Sequence, residues 1–186
     1  HVLLLAGVVV SAFFAACVLL ILTFVREGTL RSAFHWTLGS LSGASWGMIL
    51  GMAAYAVPAS VVVFGLSRHL DALSLGDETA AFLGTDAERV KKLAYVLASL
   101  LAAASVAVAG VIGFVGLVVP HAVRLAGARD HRSLLPLSFA VGGGALVLAD
   151  TMARTVAAPM EIPVGVITAF IGVPFFLLLL RRSYGG

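Results

Sequence analysis

Gly43-Ala-Ser45-Trp-Gly47 has the G-x-S-x-G spacing of a hydrolase nucleophile elbow, in which a sharp turn presents a serine to a carbonyl. That motif works only on a strand-to-helix turn of an α/β sheet, which is absent here. His121, directly after Pro120, is a candidate base, but no spacing places it beside Ser45, and a lone histidine there reads as a hydrogen-bonded group rather than a ligand. The 5 histidines show no H-E-x-x-H or comparable metal spacing. No glycine loop followed by Lys-Ser/Thr is present, so this chain does not bind and hydrolyse ATP by the P-loop route. Cys17 is the one cysteine and can form no internal disulfide. What remains is ionic. Asp150 and Arg154 stand one helical turn apart and can pair, which lowers the cost of placing either near an apolar boundary. Glu161, in the Pro159-Met-Glu-Ile-Pro163 loop, reads as a solvated acid or a charge at a helix N-terminus.

The elements that must position these groups are set by composition. Of 186 residues, 61% are hydrophobic and 11% charged, and the mean hydropathy is +1.09. A soluble domain is about 45–50% apolar and about 25% charged, and a core of this size has too little interior for the excess. The surrounding medium must be lipid. A net charge of +3 then reads as a marker of the cytoplasmic side rather than of nucleic-acid binding.

A bilayer core of about 30 Å takes about 20 apolar residues per helical crossing. Residues 2–25 and 46–66 carry no charge and supply one crossing each. Leu93 to Val123 is a run of 31 residues without Lys, Arg, Asp or Glu, about 46 Å as a helix, too long for one crossing. Residues 133–149, continuing to about Ala157, and 162–180 supply two more. Nine of the 12 Lys and Arg fall in 67–92, 124–132 and the tail. If all three are cytoplasmic, each stretch between them crosses an even number of times. The 93–123 run is therefore a hairpin turning near Gly110-Val-Ile-Gly113, with helices at about 87–109 and 113–127. The expected fold is an all-α polytopic bundle of six transmembrane helices, in one domain over 1–186, with both ends inside. Gly39, Gly43, Gly47 and Gly51 recur every fourth residue, a stripe that allows close backbone approach, although Ser40-Leu-Ser-Gly-Ala44 reads as a helix break.

Residues 67–92 are the longest polar segment and hold 5 of the 9 acids. Ser74 with Asp77 can start a short helix that Gly84 ends in a left-handed cap, and Thr85 with Glu88 forms a second capping box before the next crossing. The short helix carries Leu75, Ala80, Phe82 and Leu83, apolar residues with no core of their own. They read either as a face lying on lipid headgroups or as a docking surface for a cytoplasmic partner.

Gly113-Phe-Val-Gly-Leu-Val-Val-Pro-His121-Ala-Val-Arg124 resembles the signature of the permease family of iron-siderophore, haem and vitamin B12 ABC importers. The resemblance continues through Asp130-His-Arg-Ser-Leu-Leu-Pro136, Ala149-Asp-Thr-Met-Ala-Arg154, Glu161-Ile-Pro-Val-Gly165 and Gly172-Val-Pro-Phe-Phe. Upstream, Trp36 to Trp46 and Leu75 to Gly84 are similar to two more of its patterns, in the expected order. The resemblance implies a ten-helix permease subunit, of which these are the last six helices and the first four are missing. It implies a homodimer or pseudo-symmetric heterodimer in the bacterial cytoplasmic (inner) membrane, two ATP-binding cassette subunits that hold ATP and Mg, and a substrate-binding protein. No cofactor is implied on this chain, and it would not itself be an enzyme. Iron-siderophore is the default substrate, with haem and cobalamin beside it. The alternative is a six-helix intramembrane serine protease using Ser45.

Carried onto this sequence, the resemblance makes Leu75, Gly76, Asp77, Glu78, Ala80, Phe82, Leu83 and Gly84 the coupling helix that enters the ATPase cleft. Arg154 matches an outer-face arginine that meets a glutamate of the binding protein, with Glu161 nearby in sequence. The 2–25 helix and the 31–40 segment resemble the path-lining helix and the short outer helix after it. Thr37, Gly39 and Ser40 are then the candidates for the translocation path or dimer interface.

Overall fold

The computed structural model describes residues 2–25 and 27–184. No strand occurs among them, so the fold is the all-α architecture that the uncharged runs predict. The chain divides into two compact units, one ending at Thr37 and one starting at Leu38. The first holds α1 (Val2–Thr23) and α2 (Glu27–Thr37). The exposed residues of α1 include Val9, Phe13, Leu19 and Ile21, the composition of a helix set in an apolar medium.

The second unit contains α3 (Trp46–Gly65), α4 (Ser67–Ser74), α5 (Asp77–Phe82), α6 (Ala87–Ala109), α7 (Val115–Leu125), α8 (His131–Thr155) and α9 (Val164–Tyr184). Four helices of the chain, α1, α3, α6 and α8, have the length and hydropathy of membrane spans, and the protein is a multi-pass membrane protein. The other two expected crossings fall on α7 and α9, whose apolar stretches, Val115–Leu125 and Val164–Leu179, are shorter. The 93–123 run does fold back at Gly110–Gly113, but its return helix has only 11 residues, about 16 Å against a hydrocarbon core of about 30 Å. Gly110 (φ 70) and a left-handed Phe114 (φ 65) hold the backbone out of helix until Val115. Irregular backbone at membrane depth needs internal partners. The Gly110 N–H donates to the Val106 carbonyl at 2.8 Å, and the Ala109 carbonyl accepts the Ser40 N–H at 2.9 Å.

The chain between α2 and α3 is not helical, so the break read at Ser40–Ala44 is present and the four-residue glycine stripe does not form one helical face. Two small cores lie along α8. Near its N-terminus, Leu134 packs with Val119, Val123 and Ala128. Toward its C-terminus, Ala149 and Ala153 pack with Val164, and Leu41, Ile112 and Ile167 close around them. α8 thus packs against both α7 and α9, with buried residues near each of its ends.

Candidate functional site

The polar segment 67–92 folds into two short helices held against α6 and α8. Sequence reasoning missed the first of them, α4, although Leu66, Leu70 and Leu73 recur with helical spacing and were the available signal. Because α4 runs through Ser74, the expected cap there is wrong. The Ser74 hydroxyl donates to the Asp71 carbonyl within α4 at 2.6 Å, and α5 starts after Gly76 with no side-chain cap. The second cap stands one residue later than expected. Asp86 caps α6 by accepting the Arg89 N–H at 3.1 Å, while Thr85 is buried and its hydroxyl meets His69 Nδ1 at 3.1 Å.

The left-handed stop at Gly84 is present, at φ +76. The Thr85 N–H donates to the Ala80 carbonyl at 2.9 Å and the Gly84 N–H to the Ala81 carbonyl at 3.0 Å, the paired bonds of a Schellman ending. This ending fixes the direction in which α5 presents its apolar residues. Phe82 is 92% exposed, Leu75 66% and Leu83 63%, whereas Ala80 is fully buried. Ala80 therefore anchors the helix, and the other three are left exposed as an apolar tip among the described residues. Asp77 and Glu78, in the first turn of α5, suit the positive end of the helix.

Three side-chain links hold this tip in place. Lys91 of α6 donates to both carboxylate oxygens of Asp77 at 2.6 Å. His69 meets Thr85, as above. Asp71 of α4 accepts both the backbone N–H of His131 at 2.9 Å and its ring Nδ1 at 2.5 Å. Beside it Asp130 caps α8, accepting the Ser133 N–H at 3.2 Å and the Ser133 hydroxyl at 2.7 Å. The hydroxyl bond is the main cause that holds the Asp130 carboxyl below the ordinary range.

At the far end of α8, Arg154 Nε donates to Asp150 Oδ2 at 2.8 Å and Nη2 to Oδ1 at 3.3 Å, the expected pair one turn apart. The loop that carries Glu161 is tied back to this end by the Ile162 N–H, which donates to the Ala153 carbonyl at 3.1 Å. The Arg154 side chain remains 44% exposed, so the pairing orients it without covering it. Glu161 is exposed as well.

The three path candidates behave differently. The Thr37 hydroxyl donates to the Ala33 carbonyl of its own helix at 2.8 Å. Gly39 is buried, and a Cβ there would stand 2.7 Å from the Val111 carbonyl oxygen, so its first role is to let two backbones meet. Ser40 is half-buried, and its hydroxyl pairs with that of Ser42 at 2.8 Å. Ser45, the elbow serine, caps α3 by accepting the Met48 N–H at 3.4 Å. No other hydrogen bond engages its hydroxyl among the described residues, and none brings a histidine to it.

The sequence profile of the FecCD transport family matches residues 1–182. Among curated relatives, the cobalamin import system permease protein BtuC of Halobacterium salinarum is 47% identical over 180 residues, 96% of this chain and 48% of the relative. The hemin transport system permease protein HmuU of Yersinia pestis is 42% identical over 182 residues, 97% of this chain and 54% of the relative. A solved structure described as an inward-facing conformation of a transporter assigned to the metal-chelate ABC type superposes with a TM-score of 0.87 at 34% identity, covering 96% of this chain and 58% of that one. The chain thus spans about half the length of the curated relatives it matches.

Proposed function

The chain belongs to the FecCD transport family, and on that premise we propose that it is part of the permease subunit of a binding-protein-dependent ABC importer. Its cargo class is an iron-siderophore, haem or cobalamin, with iron-siderophore first. The subunit sits in the bacterial cytoplasmic membrane with the α4–α5 side inside, pairs with a second permease subunit, and does no ATP chemistry of its own. ATP and Mg are held by two cytoplasmic ATP-binding cassette subunits.

One observation carries the reading beyond the family resemblance. The apolar tip of Leu75, Phe82 and Leu83 is exposed around the ends of a helix whose last turn is closed by backbone hydrogen bonds and whose first turn is tied to Lys91. A headgroup-lying helix has no need of such fixing, whereas a part that must transmit displacement does. Closure of the ATPase pair on ATP moves both coupling helices, and the bundle shifts between outward-open and inward-open packings by differential nucleotide affinity. Thr37, Gly39 and Ser40 belong, on this reading, to the path or subunit interface.

The opposite face supplies the test. Arg154, oriented by Asp150 and still exposed, receives an acidic residue of the binding protein, with Glu161 at the edge of the contact. Arg154→Glu in the full-length permease is expected to weaken docking of the loaded binding protein by tenfold or more, since it replaces attraction by like-charge repulsion. A titration of the purified transporter with labelled binding protein measures this. Unchanged affinity removes Arg154 from the interface.

A further inference from the structure

We propose that Asp71 is a positioning residue of the transporter: its carboxylate, seated on the N-terminus of α8, is the joint through which displacement of the α4–α5 unit reaches the binding-protein side. This rests on the reading of α5 as the surface that meets the ATPase subunits.

Asp71 and His131 are 60 residues apart in sequence, so nothing in chain connectivity requires α4 to touch α8. One carboxylate oxygen nevertheless accepts two donors from His131, the first helical residue of α8. A carboxylate at that point answers an otherwise unpaired backbone N–H and the positive end of the helix dipole. The site is partly closed, with side-chain exposure of 35% for Asp71 and 20% for His131. The other cross-element ion pair of the unit, Asp77–Lys91, is more open at 62% and 44% and leads to α6. Among the described residues, Asp71–His131 is the side-chain hydrogen-bonded link from the α4–α5 unit to α8.

α8 is suited to carry what it receives. Its 25 residues make a rod of about 38 Å, longer than the hydrocarbon core. Leu134 near one end and Ala149 and Ala153 near the other are buried against neighbouring helices, and the Asp150–Arg154 pair lies on the last turns. On this proposal a push or turn at His131 is carried along α8, past Pro136, to Arg154, and docking at Arg154 travels back the same way.

The test uses the full-length transporter with its ATPase subunits in liposomes, with loaded binding protein added outside. In Asp71→Ala, the ATPase subunits are expected to co-purify at wild-type stoichiometry, while stimulation of ATP hydrolysis by binding protein falls about tenfold, within the usual range of coupling between distant sites. Asp71→Asn, which keeps an oxygen for the His131 N–H but loses the charge, is expected to fall between the two. If Asp71→Ala is not recovered folded, Asp71→Asn alone decides by the same readout. Wild-type stimulation in either variant overturns the proposal, and so does loss of the ATPase subunits on purification, which would make Asp71 an assembly residue. Phe82→Asp separates the two layers. If it leaves ATPase association intact, the reading of α5 fails whatever Asp71 does; if it abolishes association while Asp71→Ala keeps full stimulation, only the joint fails.

Discussion

Gly84→Val in the assembled transporter is expected to leave ATP hydrolysis running while transport drops to a tenth or less. Gly84 sits at φ +76 with no atom within 4 Å of where a Cβ would stand, so an added Cβ meets no obstacle and the cost lies in backbone conformation. A left-handed conformation costs an L-residue about 1–2 kcal/mol, and a β-branched side chain lies at the unfavourable end. α5 has only 6 residues, too few to resist that strain by helical cooperativity. The bonds from Gly84 and Thr85 to the Ala81 and Ala80 carbonyls are the ones that give way, and they set where Phe82 and Leu83 point. Gly84→Asn is the control, because asparagine tolerates the left-handed region, and it should retain most of the transport. The ratio of substrate moved to ATP hydrolysed in liposomes decides the matter. A wild-type ratio for Gly84→Val would mean that α5 is not the transmission.

That prediction was available from sequence, since a glycine following a short apolar helix has one common use. The neighbouring caps were not. Ser74 and Thr85 have the right residue types at the right spacing, but α4 absorbs Ser74 and the buried contact with His69 absorbs Thr85. Capping propensity is local, whereas Asp71 of α4 finds α8, a partner 60 residues away. The same holds at the hairpin. Charge parity placed its turn at Gly110–Gly113 correctly, yet read the return arm as a full crossing, because hydropathy does not distinguish a helix from irregular apolar backbone. Phe114 at φ 65 ends that irregular stretch. No propensity marks a phenylalanine for the left-handed region, and only its tertiary contact with Gly172 shows why the position is occupied. The Asp150–Arg154 pair was fully legible, because four residues on a helix fix the geometry without help from the rest of the fold.

Gly165→Val is expected to prevent folding of the second unit, and Gly165→Ala to destabilise it by about 2 kcal/mol or more, as overpacking of a closed site does. The reason differs from that at Gly84. Here the backbone conformation is ordinary and the space is missing: a Cβ at Gly165 would overlap the Leu38 carbonyl oxygen and stand 2.8 Å from the Val111 carbonyl oxygen. Both obstacles are backbone, so no rotamer change relieves them. The three segments that meet there are the break before α3, the Gly110–Gly113 turn and the first turn of α9, and the Val164 beside the glycine is 2% exposed. Relief would have to separate those segments, which also carry the Ser40 to Ala109 hydrogen bond and the cluster of Ala149, Ala153 and Val164 against the last turns of α8. Gly144 is the matched control. It lies inside α8 with nothing within 4 Å of its built Cβ, so Gly144→Ala should be neutral or gain up to about 1 kcal/mol from helix propensity. Thermal unfolding of the detergent-purified full-length protein, followed by the fraction still monodisperse after heating, separates the two. Equal stability of Gly165→Ala and Gly144→Ala would show that the three segments are not in contact at Gly165, and the close backbone approach at that end of α8 would have to be abandoned.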